Sequence, residues 1–253
     1  MKYAGDWSKL LDVCNYFLKN PNPGLYMREI PLPIHTKFIE QHTKILRILL
    51  DTLMPAVHIN LEERHFARRF GLRYDEPLIR LRLLDPDTIT VDPFPFHDLS
   101  IPVSELAQWS HAPIKCLIVE NKQTFLTLPF LSDTIALWGG GFRVELLAQL
   151  TWLQSQEIFY WGDIDAHGFQ ILALLRRNFP QTHSVMMDEE TLLAFKPFIG
   201  QGTLTNVLEP NFLTSSEMYI YRRVQTENLR LEQEHIPPMF ALQQLLKRGF
   251  LPI

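Results

Sequence analysis

Two apolar runs that end abruptly in acid constrain the fold of this chain more than any other feature. The run at 117–119 leads directly to Glu120, and the run at 159–161 is followed closely by Asp163 and Asp165. Such runs are typical of buried strands in an α/β sheet, and residues at the carboxyl ends of these strands line the ligand crevice. Three converging carboxylates are unfavourable unless a cation joins them, and Mg²⁺ takes such oxygen ligands.

Strand and helix patterns alternate from residue 115 onwards, which predicts a mostly parallel sheet with helices on both faces. The pattern predicts strands at 115–119, 134–138, 157–161 and 184–187, and helices near 122–129 and at 143–153 and 169–179, with a further helix capped by Asp188. The tail at 214–251 is predicted to be helical, with a break at Pro237-Pro238.

The first hundred residues follow a different, mainly helical pattern. Apolar spacing predicts helices at 7–18, 36–54 and 62–70, then a half-exposed strand at 79–83 and a loop at 85–102. We therefore expect a domain boundary near residue 105, with one domain at 1–105 and another at 106–253.

Composition narrows the class of protein. With 253 residues, 46% of them hydrophobic, the chain can bury one large core or two small ones. Only Cys14 and Cys116 are present, which is no disulfide framework. The chain shows neither a signal peptide nor an apolar stretch long enough for a bilayer, so we expect a cytoplasmic protein without membrane contact.

The Asp-x-Asp pair is the strongest candidate for a metal site. Residues i and i+2 of a strand point to the same side, so Asp163 and Asp165 would face one crevice. Alternatively, one of the two caps the helix that begins near Phe169. Glu120 alone could be an ordinary surface residue at a strand end. Together with the Asp pair, it supplies the third wall of one cleft. We favour metal binding by these three residues.

Several other polar residues have a plain structural alternative. Glu232 and Glu234 are further candidate ligands, or part of a polar helix face. His167 could contact metal or phosphate, or support its loop by hydrogen bonds. The glycines at 139–141 could approach a phosphate, although a tight turn explains them better. Asp188 is explained well as a helix cap.

Arginines are concentrated between residues 64 and 82. This segment has six arginines and only two acidic residues, in a chain of net charge −4. Phosphate contact is one explanation, and a solvated or internally paired surface is the other. The candidate DNA contacts are Arg64, Arg68, Arg69, Arg73 and Lys122.

A set of short motifs, in a fixed order, resembles a known family. The motifs lie at 118–122, 126–129, 138–139, 160–168, 187–188 and 231–234, with similar pieces at 36–40 and 69–72. From about residue 105 to 245 the chain is similar to the C-terminal domain of the JetD family, the nuclease subunits of Wadjet plasmid-defence systems. The first hundred residues resemble the middle region of that family.

The resemblance implies a TOPRIM-like fold, shared with the A subunit of topoisomerase VI, behind a smaller mainly helical, winged-helix-like domain. Glu120 would be the TOPRIM glutamate, and Asp163 and Asp165 its Asp-x-Asp. The family cleaves double-stranded DNA with Mg²⁺ or Mn²⁺ as a homodimer, beside a condensin-like SMC complex that presents closed circular DNA. Its members usually have a longer N-terminal region, so we expect this chain to be a fragment or a shortened homologue.

Two other functions compete with a DNA endonuclease. A non-catalytic DNA-binding or SMC-associated module would tolerate loss of a cleft carboxylate, and the retention of all three favours the enzyme. A topoisomerase-like transesterase would need a nucleophilic tyrosine in the N-terminal domain. The candidates for that role are Tyr3, Tyr16, Tyr26 and Tyr74, none in a recognisable context, so this function ranks last.

Overall fold

The computed structural model describes residues 3–86, 96–110, 112–203 and 210–253, with the backbone alone at 141–143. The chain divides into two compact units, Met1–Asp75 and Glu76–Ile253. This division lies about thirty residues before the boundary that the sequence suggested. The reason is that the strand Leu78–Leu83 pairs with strands of the large sheet, so it belongs to the second unit.

The N-terminal unit is helical. Its helices are α1 (Trp7–Lys19), α2 (Thr36–Gln41), α3 (Thr43–Leu53) and α4 (Phe66–Arg69), with 3-10 turns at Met27–Glu29 and Ala56–His58. The helix predicted at 36–54 is two helices, because the backbone leaves the helical range at His42. The helix predicted at 62–70 is one turn long and is followed by Gly71 at a φ of 65°.

A small apolar core holds this unit together. Leu10 and Phe17 of α1 pack with Leu46 and Leu50 of α3 and with Phe70, and all five side chains are fully buried. The described part of the unit contains only an isolated bridge between Tyr26 and Arg73 and no strand, so the hairpin of a winged helix is not seen there.

The second unit is built on a six-stranded sheet. Its strands are β1 (Leu78–Leu83), β2 (Asp98–Pro102), β3 (Lys115–Val119), β4 (Thr134–Trp138), β5 (Glu157–Trp161) and β6 (His183–Ser184), in the order β2-β1-β4-β3-β5-β6. The pairs β3–β4, β3–β5 and β5–β6 are parallel, whereas β1 is antiparallel to both neighbours. The predicted mostly parallel sheet is thus confirmed.

Helices cover this sheet. They are α5 (Val103–Leu106), α6 (Lys122–Thr127), α7 (Ala166–Asn178), α8 (Glu189–Ala194), α9 (Ser215–Thr226) and α10 (Pro238–Lys247). Alternate residues of β3 and β5 enter two different apolar layers. Ile118 and Tyr160 pack in the layer that contains Phe169 of α7, and Val119 and Trp161 in the layer that contains Leu245 of α10. Burial on both faces explains why these strands read as unbroken apolar runs.

Four predictions in this unit differ from the structure. The predicted loop at 85–102 includes β2, an edge strand that follows a segment rich in Pro and Asp. Residues 87–95 lie outside the described part. The predicted helix at 143–153 consists of 3-10 segments, Gly141–Gln149 and Thr151–Ser155. Strand β6 is only two residues long, and the tail includes the short strand β8 (Leu229–Arg230), which pairs with β7 (Gly200–Gln201).

Candidate active site

The strand order creates a crevice at the carboxyl ends of β3 and β5. From β3 the chain leads to β4 on one side, and from β5 it leads to β6 on the other. Adjacent parallel strands whose connections diverge leave a gap between them, which is where open α/β sheets bind ligands. Val119 is in register with Trp161, so Glu120 and Asp163 both emerge into this gap.

Glu120 directly follows β3 at the crevice. Its backbone N–H donates to the carbonyl of Trp161 at 3.1 Å. Its Oε2 accepts from the Tyr160 hydroxyl at 3.0 Å and from the backbone N–H of Asp163 at 3.3 Å. Next along the chain, Asn121 caps α6 by accepting from the backbone N–H groups at 123 and 124. The local structure therefore turns the glutamate inward and begins α6 two residues later, after the Asn121 cap.

Asp163 and Asp165 are both buried beside Glu120. Asp165 caps α7, because its Oδ1 accepts from the backbone N–H of Gly168 at 2.8 Å. The capping alternative considered for the pair is correct for this residue, which leaves its Oδ2 facing other groups. Asp163 Oδ1 accepts from the backbone N–H of Gln233 at 2.9 Å. Both carboxylates are held by backbone donors in fixed positions.

Two glycines in this turn are required by close approach. A Cβ at Gly168 would lie 2.2 Å from the carbonyl oxygen of Asp163, and a Cβ at Gly162 would lie 2.5 Å from the Tyr160 hydroxyl. Either contact is far inside van der Waals distance, so the turn between β5 and α7 closes only with glycine at both positions.

The structure adds two residues that the sequence did not single out. Arg230, at the end of β8, donates from Nη2 to Asp163 Oδ2 at 2.7 Å. Gln233 bridges the crevice with its side chain, since its Nε2 donates to the Trp161 carbonyl at 2.7 Å and its Oε1 accepts from the Asn121 backbone at 2.6 Å. Gln233 stands within the motif at 231–234, whereas no local pattern marks Arg230.

The carboxylates affect one another's ionisation. Burial, aided by the nearby charge of Asp163, raises the pKa of Glu120 to about 7, although the Tyr160 hydroxyl opposes the shift. Burial also raises the pKa of Asp165, and the Gly168 N–H opposes this. A raised pKa means that the cluster holds more negative charge than its surroundings stabilise, which is the condition that favours recruitment of a cation.

The donor chemistry fits a hard divalent ion, but the present positions do not form a complete site. No group of three or more His, Cys, Asp or Glu side chains within the described ranges is placed to hold a metal ion. The candidate ligand Glu232 pairs with Arg230 Nη1 at 3.1 Å, and Glu234 accepts from Asn121 Nδ2 at 2.8 Å. Both glutamates border the crevice, and both are engaged with protein groups.

The remaining polar candidates near the sheet differ in their exposure and in their contacts. Lys122 is exposed, and its Nζ lies 5.6 Å from the centre of the Trp138 ring. His167 is half-buried in the first turn of α7, where it contributes to lowering the pKa of Asp165 against the larger effect of burial. Asp188 caps α8 as expected, accepting from the Thr191 backbone at 2.8 Å. Gly140 has a φ of 50°, as a tight turn requires.

The arginine-rich segment divides into structural and exposed members. Arg69 is buried, pairs with Asp51 at 2.7 Å and donates to three backbone carbonyls. The prediction that this residue contacts DNA is therefore wrong. Arg68 pairs with Glu63 at 3.2 Å but remains partly exposed. Arg64 and Arg73 are exposed and have no ion pair with any described residue.

Arg64 and Arg73 border a surface pocket of about 750 Å³ within the N-terminal unit. Three further cations line it, Arg28, Lys44 and Arg47, against the single carboxylate of Glu40. Among these three, Arg47 pairs with Asp51 at 3.6 Å, while the other two have no ion pair in the described part of the chain. The pocket is a concentrated positive patch on a protein whose net charge is negative.

Together, the crevice between β3 and β5 and its acidic cluster define an α/β protein with a candidate site for a cation and for the phosphate groups that such a cation binds. The family follows from comparison of sequences. Residues 71–245 match the family model described as Wadjet protein JetD, C-terminal, and the chain belongs to this family. Residues 1–51 match a second model, described as an uncharacterised protein conserved in bacteria, N-terminal. No curated protein sequence matches the chain significantly.

The match begins at residue 71, about thirty-five residues before the start that the motifs suggested, and close to the division between the two units. The resemblance to JetD is confirmed. Within the described residues, no helix is long and apolar enough to cross a membrane.

Proposed function

We propose that this chain is a divalent-metal-dependent endonuclease that cleaves double-stranded, closed circular DNA in a Wadjet defence system. Membership of the JetD family supports the defence role and an association with other Wadjet proteins. We extend this to a TOPRIM-like catalytic unit, a cytoplasmic location, and work beside a condensin-like SMC complex. Mg²⁺ and Mn²⁺ are the proposed cofactors.

The observation that carries the proposal is the cluster of Glu120, Asp163 and Asp165 in the crevice between β3 and β5. Burial of carboxylates has a large energetic cost, and desolvation with the nearby charge of Asp163 raises the pKa of Glu120 to about 7. A cation bound between the carboxylates would offset this cost. When bound, a divalent ion would neutralise charge on the scissile phosphate and lower the pKa of an attacking water.

The residues around the cluster would keep its geometry during the reaction. The Tyr160 hydroxyl and the Asp163 N–H fix Glu120, the Gly168 N–H fixes Asp165, and the Gln233 N–H fixes Asp163. A pre-oriented set of ligands contributes to catalysis because no reorganisation is needed as charge develops. A single such cluster in the described part of the chain fits one strand cut per subunit, so a double-strand break would require a homodimer.

Contact with DNA is proposed for the N-terminal unit through the basic pocket. Its exposed cations, Arg64 and Arg73 among them, are of the kind that bind backbone phosphates and release counterions. Arg68 and Lys122, which are both exposed, remain candidates. Arg69 is excluded from this set because it is buried and its Nε and Nη1 groups are bonded within the unit.

One observation favours the second candidate, a non-catalytic DNA-binding or SMC-associated module. The described carboxylates do not form a ready metal site, and Arg230 neutralises part of their charge. In such a module the ion pair would be permanent and the cluster purely structural.

Incubation of the purified protein with closed circular DNA separates these functions. With Mn²⁺ or Mg²⁺, alone or with its Wadjet partners, the enzyme should convert closed circles to nicked or linear forms, and EDTA should stop the conversion. Binding without cleavage under every metal condition would favour the module.

A further inference from the structure

Arg230 is the cation that the acidic cluster already contains. It ends strand β8, and the next residue, Leu231, forms an antiparallel bridge with Ile164. This bridge places the arginine directly beside the turn that carries Asp163 and Asp165. Its position depends on pairing between segments 67 residues apart, and the side chain is 38% exposed while those of the two aspartates are 8% and 9% exposed.

The guanidinium is shared among three carboxylates. Its Nη2 and Nε both approach Asp163 Oδ2, at 2.7 and 3.2 Å, and Nε lies 3.5 Å from Asp165 Oδ2. Its Nη1 lies 3.1 Å from Glu232 Oε1 at the rim of the crevice. The inner contacts use the oxygen atoms of the aspartates that the backbone donors leave open.

These contacts compete with a metal ion. The other oxygens of the two aspartates accept from backbone N–H groups, Asp163 from Gln233 and Asp165 from Gly168. A divalent ion would therefore bind mainly through the two Oδ2 atoms that now face Arg230. A divalent ion at these atoms and the guanidinium would repel each other at close range, beside two buried carboxylates.

We propose that Arg230 is an internal counterion that a divalent ion must displace, so that this residue sets the affinity of the crevice for metal. The inference rests on the proposed metal-dependent function. In the ion-free protein Arg230 neutralises part of the charge of the cluster through the outer oxygens of the two aspartates. On metal binding it leaves Asp163 and stays attached at the rim through Glu232, which is 40% exposed and can follow it.

Calorimetric titration of the ion-free protein with Mn²⁺ tests this role directly. Arg230→Gln removes the competing charge, so its dissociation constant should fall by about tenfold relative to the unaltered protein, a change of about 1.4 kcal/mol. Arg230→Lys should give an intermediate value, since an ammonium keeps the charge but lacks the fork. Arg223→Gln is the matched control, because Arg223 pairs with Glu227 and Glu189 outside the cluster, and it should not change the constant.

A second measurement follows Arg230 in the unaltered protein and uses a variant only to assign the signal. The Nε–H proton signal of Arg230, assigned by its absence from the Arg230→Lys spectrum, should shift when Mg²⁺ saturates the protein. An unchanged signal at saturation would overturn the inference, as would equal or weaker Mn²⁺ binding by Arg230→Gln.

Cleavage of closed circular DNA by the same preparations distinguishes failure of the counterion role from failure of the proposed nuclease function. If the unaltered protein cuts DNA but Arg230→Gln binds Mn²⁺ no more tightly, the counterion role fails and the nuclease stands. If the unaltered protein neither binds Mn²⁺ nor cuts, the proposed function fails, and the counterion role fails with it.

Discussion

At the scale of single residues, Asp165 combines two tasks that one substitution can separate. It caps α7 through the Gly168 N–H and contributes charge to the cluster. Asn caps helices about as well as Asp, so Asp165→Asn should keep the fold while removing a charge from the proposed metal site. We expect an almost unchanged melting temperature in EDTA and a loss of cleavage of about a hundredfold or more, comparable to losses from removing one catalytic electrostatic group.

Circular dichroism melts and a nicking assay with Mn²⁺ test this pair of outcomes. Asp165→Ala, which loses both the cap and the charge, is the comparison that should lower both stability and cleavage. Cleavage by Asp165→Asn at the unaltered rate would show that the cluster is not the active site.

Glu120 gives a prediction about pH. Its pKa is raised from an ordinary 4.5 to about 7 by burial and by Asp163, so the folded state favours the protonated form. Stability from this group is therefore complete below pH 4.5 and is lost as the pH rises towards 7. The full shift corresponds to about 3 kcal/mol.

Glu120→Gln should remove this dependence, because an amide accepts the same hydrogen bonds without a charge. In EDTA at pH 8 the variant should melt at a higher temperature than the unaltered protein, and at pH 4.5 the two should be similar. Melting curves with the same slope against pH for both proteins would contradict the assigned cause.

At the scale of elements, a buried ion pair joins α7, α9 and β6. Arg176 of α7 donates from Nη1 and Nη2 to Glu217 of α9, the latter bond being 2.9 Å long, and Ser184 of β6 donates to the same carboxylate at 2.6 Å. Burial alone would raise the pKa of Glu217, but these donors and the Thr214 N–H outweigh it and lower the value to about 2. The helices that cover one face of the sheet are thus fixed by charge as well as by apolar packing.

Glu217→Gln should therefore destabilise the protein strongly, by about 3–5 kcal/mol, because Arg176 would remain buried without its counter-charge. The contribution of Glu217 is present above its ordinary pKa of 4.5 and is lost as the pH falls towards 2. Denaturant unfolding at pH 7 and pH 3 measures both effects. The control is Glu227→Gln, which removes an exposed pair with Arg223 on the same helix and should change stability by less than about 0.5 kcal/mol.

At the scale of the whole molecule, the two units carry different kinds of charge. The large unit places Glu120, Asp163 and Asp165 close together in its crevice, while the N-terminal unit carries the basic pocket. A chain with net charge −4 can attract DNA only through a local excess of positive charge such as this one.

Replacing Arg64 and Arg73 with Gln should weaken DNA binding and lower the slope of log affinity against log salt by about 0.9 for each lost phosphate contact. The control is replacement of Lys19 and Lys37 with Gln, which removes the same charge from exposed positions of the same unit that do not line the pocket. Fluorescence anisotropy with a short duplex over a range of salt concentrations measures both. Equal effects of the two pairs would show that only net charge matters.

The sequence by itself determined most of the sheet and the position of the acids. Strands β1, β3, β4 and β5 and the acids that follow β3 and β5 could be predicted, because a strand buried on both faces leaves a local apolar run with a clear end. It also predicted the cap at Asp188. The edge strand β2 and the 3-10 segments after β4 were missed, since their form depends on neighbours rather than on local periodicity.

Only the tertiary structure decided which charges meet. Arg69 looked like its exposed neighbours in the sequence, yet it is buried against Asp51 and backbone carbonyls. Arg230 had no local mark, yet it lies in the acidic cluster because β8 and the following bridge bring it across 67 residues of chain to Asp163. Charge is a property of each residue, but its partner is set by long-range packing, and the partner determines whether an arginine can bind phosphate, support the fold or compete with a metal ion.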